Sequence, residues 1–142
     1  TDAGLVEVFS LHPYMRSDAN EISSASGGTV NLELDFPASA AGYKYRILIS
    51  QSGNGPTNFG IDIPITQDQV VLQTFLGNYP MRSHSGMHGI LDAVGDASAS
   101  LTLQAGVPAG LIGKTYWTVA IAQPGAGLPE FSSLAVLLEI TL

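Results

Sequence analysis

Strict alternation of apolar and polar residues recurs along this chain and confines it to folds built from half-buried strands. Residues 29–36 (TVNLELDF) place Val30, Leu32, Leu34 and Phe36 on one side and Asn31, Glu33 and Asp35 on the other. Successive side chains of a strand point to opposite faces, so such a stretch buries one face and wets the other. Residues 43–50 (YKYRILIS) repeat the pattern, with Tyr43, Tyr45, Ile47 and Ile49 on one face and Lys44, Arg46 and Leu48 on the other. In residues 97–104 (ASASLTLQ), Ala97, Ala99, Leu101 and Leu103 oppose the uncharged set Ser98, Ser100, Thr102 and Gln104. Residues 115–123 (TYWTVAIAQ) are apolar enough to be buried on both faces, and Trp117 shares the face of Val119 and Ile121, which points it inward. Residues 5–11 (LVEVFSL) read as an opening strand and residues 134–142 (LAVLLEITL) as a closing one.

Glycine and proline punctuate these runs. Gly27-Gly28 precedes the first clear strand and Pro37 ends it. Turn clusters stand at Ser52-Gly53-Asn54-Gly55-Pro56, at Asp92-Ala93-Val94-Gly95-Asp96 and at residues 124–129 (PGAGLP). Residues 67–76 (QDQVVLQTFL) fit neither period and read as a short helix or a strand. Short strands with such punctuation predict an all-β, antiparallel β-sandwich, Ig-like or jelly-roll-like, of about seven to nine strands with at most one short helix. The 142 residues suffice for one domain. Within it, residues 1–21 read as an N-terminal strand and connecting loop, and residues 22–142 as the core. A chain starting at Thr1 without methionine is expected to be a processed, mature product.

Composition narrows the function. Only 12% of residues are charged although 45% are hydrophobic, and no apolar run nears the length of a membrane-spanning helix. The surface is therefore expected to be weakly charged and sticky. The net charge is −7, and five scattered Lys and Arg residues make no phosphate-binding stripe, so nucleic acid and membrane insertion are not expected. The absence of cysteine excludes disulfides, thiolate metal sites and a cysteine nucleophile.

Chemistry is sparse. Residues 81–89 (MRSHSGMHG) hold His84 and His88, a spacing that chelates metal on a helix. Ser83, Ser85, Gly86 and Gly89 oppose a helix, and on one strand the two rings would stand about 13 Å apart. The segment therefore reads as a polar loop or strand edge. His12, in Leu11-His12-Pro13-Tyr14, reads as a loop residue. Asp92 and Asp96 flank a turn that could hold calcium, yet Asp and Gly favour such turns for backbone reasons alone. Glu33 and Asp35 share a strand face that reads as solvated. No Gly-x-Ser-x-Gly elbow or convergent triad is legible, so no catalytic residue and no cofactor are expected; the weak metal candidates are Asp92 and Asp96 for calcium and His84 with His88 for a surface ion. Tyr79, beside Pro80, is the best candidate for an exposed aromatic that binds glycan.

The turn signals together resemble a known family. Ser26-Gly27-Gly28-Thr29-Val30 leads into one strand, Ala40-Ala41-Gly42-Tyr43 into the next, and Ser50-Gln51-Ser52-Gly53 closes it. Residues 89–97 (GILDAVGDA) lead into Ala99-Ser100-Leu101, followed by residues 108–115 (PAGLIGKT) and Phe131-Ser132-Ser133. Over residues 22–142 this is similar to uncharacterised all-β domains of large exported bacterial proteins. The resemblance implies an extracellular or cell-surface setting and a structural or adhesive role, with no catalytic residues. The leading expectation is a non-enzymatic, secreted structural subunit that self-assembles into a filament or surface layer through sheet edges or terminal strands. Leu5, Val6, Val8, Phe9, Leu134, Val136, Leu138 and Ile140 are the expected assembly contacts. The alternative is an extracellular binding module for glycan or another surface ligand, with calcium as a possible aid. If the first strand is donated, removing residues 1–11 should leave a folded core by circular dichroism and abolish assembly by light scattering. Unchanged assembly would eliminate strand donation.

Overall fold

The computed structural model describes residues 14–80, 83–106 and 112–142. Two sheets face each other. The smaller has the order β1-β3-β9-β7, from β1 (Met15–Ser17), β3 (Gly28–Asp35), β9 (Asp96–Leu103) and β7 (Ser83–Ser85). The larger has the order β2-β12-β10-β4-β8, from β2 (Glu21–Ser23), β12 (Val136–Thr141), β10 (Thr115–Gln123), β4 (Lys44–Ser50) and β8 (His88–Ile90). The short β11 (Phe131–Ser132) also pairs with β10, and β5 (Thr57–Asn58) pairs with β6 (Asp62–Ile63) in a separate ribbon. All pairs are antiparallel except β12 with β2.

The alternation dictates the core. Val30, Leu32 and Leu34 of β3 and Ala99, Leu101 and Leu103 of β9 face Tyr45, Ile47 and Ile49 of β4, Tyr116, Ala120 and Ala122 of β10, and Leu138 and Ile140 of β12. A second cluster lies on the outer face of the larger sheet. Leu48, Val119 and Ile121 are covered there by Ile63, Ile65 and Val71 from the excursion between β4 and β7. This explains why β10 is apolar on both faces, as expected for residues 115–123.

The excursion contains α1 (Gln69–Phe75). Asp68 starts it: its carboxylate accepts the Val71 N–H at the N-terminus and also the Gln51 N–H and the Ser50 and Ser52 hydroxyls. Burial pushes this carboxyl up, but those hydrogen bonds outweigh it and hold it below the ordinary carboxylate value. The helix lies along the part of β4 that β8 does not reach. There the Ile49 N–H donates to Thr74 Oγ1 and the Tyr79 hydroxyl donates to the Ile47 carbonyl. The Ile47 N–H donates to Met87 O. Buried backbone groups need partners, and here side chains supply what a further strand would have given.

Both sides of the sandwich are closed by the same device. On one side the chain leaves β1 at the edge of the smaller sheet and enters β2 at the edge of the larger. Asp18 accepts the backbone and side-chain N–H groups of Asn31, and Asn20 donates to Leu137 O, pinning the crossing to both sheets. On the other side β7 passes directly into β8. The crossing turns at Gly86, whose φ is +67° and whose position a Cβ would drive into the Ser98 carbonyl. The Tyr45 hydroxyl donates to Gly86 O and Met87 is buried in the core.

Several expectations change. Twelve strands appear among the described residues, because the edges are made of two- and three-residue strands that carry no periodic signal. Within residues 67–76 the helix reading holds, over Gln69–Phe75. Residues 134–142 do form a strand, but it lies inside the sheet between β2 and β10, not at an edge. Leu138 and Ile140 are buried in the core and Val136 packs against it, so these three are unavailable as assembly contacts; Leu134 is exposed. Trp117 is half-buried on the outer face rather than inward in the core. Leu5, Val6, Val8, Phe9 and His12 lie outside the described residues. Two substitutions test the edges. Thr74→Val strands the Ile49 N–H and should cost about 1–3 kcal/mol in denaturant unfolding. Gly86→Ala should cost more than the ~1–2 kcal/mol of left-handed backbone strain alone, because the Ser98 backbone must also move.

Candidate functional site

The residues singled out for chemistry do not converge. His84 lies on β7 in one sheet and His88 on β8 in the other, because the chain changes sheets between them. The His84 ring packs on Tyr79 with centroids 4.8 Å apart, while exposed His88 opposes Arg46 across the β8–β4 ladder. Among the described residues no three His, Asp or Glu side chains are grouped to hold a metal ion.

Asp92 and Asp96 serve the turn before β9. Asp92 Oδ1 accepts the N–H groups of Val94 and Asp96, which holds its carboxyl below the ordinary 3.8. Asp96 goes the other way: partial burial, a hydrogen bond with Asp35, and the negative charges of Asp35, Asp92 and Glu33 raise its carboxyl above 3.8. Its Oδ1 is buried without a hydrogen-bond partner. Asp35 faces it directly in the β3–β9 ladder. The pair is a point of like-charge tension at the sandwich end.

Tyr79 is half-buried, not an exposed platform. Its hydroxyl donates to Ile47 O at 2.8 Å, and burial pushes its pKa up to about 12 against the opposing effect of Arg46. Its flank borders a hollow of about 260 Å³ formed with Gln69, Val70, Gln73, Asn78 and Pro80. The amides of Gln73 and Asn78 are hydrogen-bonded to each other.

The most distinctive surface is the outer face of the larger sheet, which alternation alone could not place. At one end Lys44 and Arg46 point outward from β4, opposite Ile90 and His88 of β8. Arg46 donates to Phe75 O at the C-terminus of α1 and stacks on the Phe75 ring, 5.1 Å from its centroid. Leu72, Phe75 and Leu76 (73% exposed) leave the end of the helix apolar to solvent, and Ile90 is 67% exposed. At the opposite end Glu139 of β12 stands directly beside Glu21 of β2, with exposed Leu137 on the same face. Sequence reading saw Lys44 and Arg46 as one outward face. It missed the Glu21–Glu139 pair, which are 118 residues apart in the chain and meet only through strand order.

No protein-family profile and no curated protein matches the chain. Among solved structures it is similar to WR4, a C. elegans MSP family member, at 11% identity, covering 92% of this chain and all of that one, with a TM-score of 0.42. It is also similar to SSP-19, an MSP-domain protein like family member in Caenorhabditis elegans: identity is 13%, coverage 89% and 98%, and the TM-score 0.48. A human ASH / PapD-like domain matches at 12% identity, over 93% and 89% of the two chains, with a TM-score of 0.36. Likeness at this level says nothing about function. None of the three is a bacterial exported protein, so the setting implied by the resemblance gains no support from them.

The tension at Asp96 gives a signed expectation. A carboxyl raised in the folded state costs stability at neutral pH, and that cost disappears as pH falls through its folded value toward 3.8 and below. Asp96→Asn should therefore raise the melting temperature at pH 7, with the difference shrinking toward pH 3. Asp92, held low, contributes stability that is lost on acidification, so Asp92→Asn should lower the melting temperature at pH 7.

Proposed function

We propose that this domain is a non-catalytic structural module that works through protein–protein contacts, and that self-association is its principal mode. The single observation that carries this is the outer face of the larger sheet. It exposes Leu72, Phe75, Leu76, Ile90 and Leu137 beside charged groups, whereas the polar residues that could do chemistry are dispersed. The low charge content supports the same reading, since a sparsely charged surface resists association weakly. The resemblance to exported bacterial domains implies an extracellular or cell-surface setting, which the absence of cysteine does not exclude. A filament or layer is the assembly that a head-to-tail contact that does not close would build.

The hollow beside Tyr79 favours a second reading, a glycan-binding module, because amide side chains next to an aromatic ring suit vicinal hydroxyls. The two readings part in one pair of measurements. Static light scattering should give a mass that rises above the monomer's 14.8 kDa with concentration. A constant monomer mass up to about 1 mM would eliminate self-association as a working mode. Calorimetric titration with a glycan panel should give no heat. Binding that disappears in a folded Gln73→Ala variant would establish the second reading instead. Tyr79→Ala is the poorer probe, since its hydroxyl anchors β4.

A further inference from the structure

We infer that the two ends of the larger sheet's outer face are the two halves of one contact, so that the basic end of one copy docks on the acidic end of the next. The inference rests on the self-association reading and assigns its surface.

Lys44 and Arg46 are two of the chain's five lysines and arginines, and they sit two residues apart on the same face of β4. Neither is paired with a carboxylate among the described residues. Arg46 uses one nitrogen on Phe75 O, which leaves most of its five N–H donors free. Exposed Ile90 opposes Lys44, and His88 opposes Arg46. This end is therefore cationic and apolar within a protein of net charge −7.

The other end is its complement. Glu21 and Glu139 are direct cross-strand neighbours in the parallel β2–β12 pair, and both are exposed. Like charges in that position oppose folding of the sheet edge. Lys114 lies nearby, preceding Thr115, which pairs with Glu139, but it forms no ion pair with either glutamate. Leu137, on the same face as Glu139, supplies an exposed apolar contact. Each end thus carries like charges crowded together on an edge strand or its neighbour. Bringing the ends of two copies together relieves both at once.

The geometry makes the contact intermolecular. The sheet order puts β8 and β2 at opposite edges, four strand spacings or roughly 19 Å apart. A patch on one edge cannot meet its complement on the same molecule. Because both patches lie on one face, two copies either pair about a two-fold axis and close as a dimer or dock end to end and propagate. The edge strands His88–Ile90 and Glu21–Ser23 are three residues long, so side-chain pairs and apolar contact, rather than an extended backbone ladder, hold the copies together.

The test uses the full chain at about 0.1 M salt, where a Debye length of about 10 Å screens net repulsion but not contact pairs. Sedimentation velocity is run on the wild type, on Lys44→Glu/Arg46→Glu and on Glu21→Lys/Glu139→Lys, with circular dichroism to confirm folding. Each double variant should associate at least about tenfold more weakly than wild type. An equimolar mixture of the two, one acidic at both ends and the other basic at both, should recover association in an alternating species. If wild type associates but both variants do so equally well, this surface is wrong while self-association stands. If wild type remains a monomer, both the surface and the self-association reading fall. Loss in both variants without recovery on mixing also overturns the pairing, because it means the ends bind something other than each other.

Discussion

The part of β4 that β8 does not reach is where the sandwich depends on one constraint, that buried backbone polar groups find partners. Ile47 and Ile49 are fully buried, and over their length no strand flanks β4 on that side. Thr74 from α1, Tyr79 from the segment after it and the Met87 carbonyl take up the exposed groups. Leaving such a group unpaired costs about 1–3 kcal/mol, a large share of a domain's net stability. The excursion between β4 and β7 is therefore integral: it completes the hydrogen bonding of the inner core and carries the second apolar cluster on its other side.

Closure of the edges follows the same logic. An open sandwich presents four strand edges, each a template for uncontrolled pairing. Here each edge strand of the two main sheets has three residues, and both sides are sealed by chain that steps from one sheet to the other. Asp18 and Asn20 pin one step; the Tyr45 hydroxyl and the turn at Gly86 set the other. Extended backbone addition is suppressed, which leaves side-chain surfaces to determine what the domain contacts. Those surfaces are uneven. Two cations and an apolar helix end lie at one side of a sheet face, and two neighbouring carboxylates lie at the other.

The segment MRSHSGMHG shows how far a linear motif can mislead. Histidines four apart invite a metal, yet the two belong to different sheets, and the glycine between them is what allows the step. Its dipeptide Gly86-Met87 matters more than either ring: the glycine adopts a left-handed backbone and the methionine enters the core. Tyr79 likewise looked exposed because it neighbours a proline in a polar stretch, while its hydroxyl is committed to the Ile47 carbonyl. Asp68 was findable, as an acidic residue just before an apolar run is a helix-start signal, but the ambiguous period of residues 67–76 obscured it.

Alternation in residues 29–36, 43–50 and 97–104 determined, from the sequence alone, the strands, their inward faces and the sandwich class, because a period of two forces one face into a core; in residues 115–123 it gave the strand but not the face that meets the main core, which is that of Tyr116, Ala120 and Ala122 rather than Trp117. It also showed that β10 is covered on both sides. Three-residue strands have too few positions to show a period, so the edges were invisible. Strand order is set by which long-range pairs bury most and leave fewest backbone groups unpaired, a property of the whole molecule. Only the tertiary structure therefore decided that the last strand is interior, that Leu138 and Ile140 are core, and that Glu21 meets Glu139 while Lys44 and Arg46 stand on the same face beside the opposite edge strand.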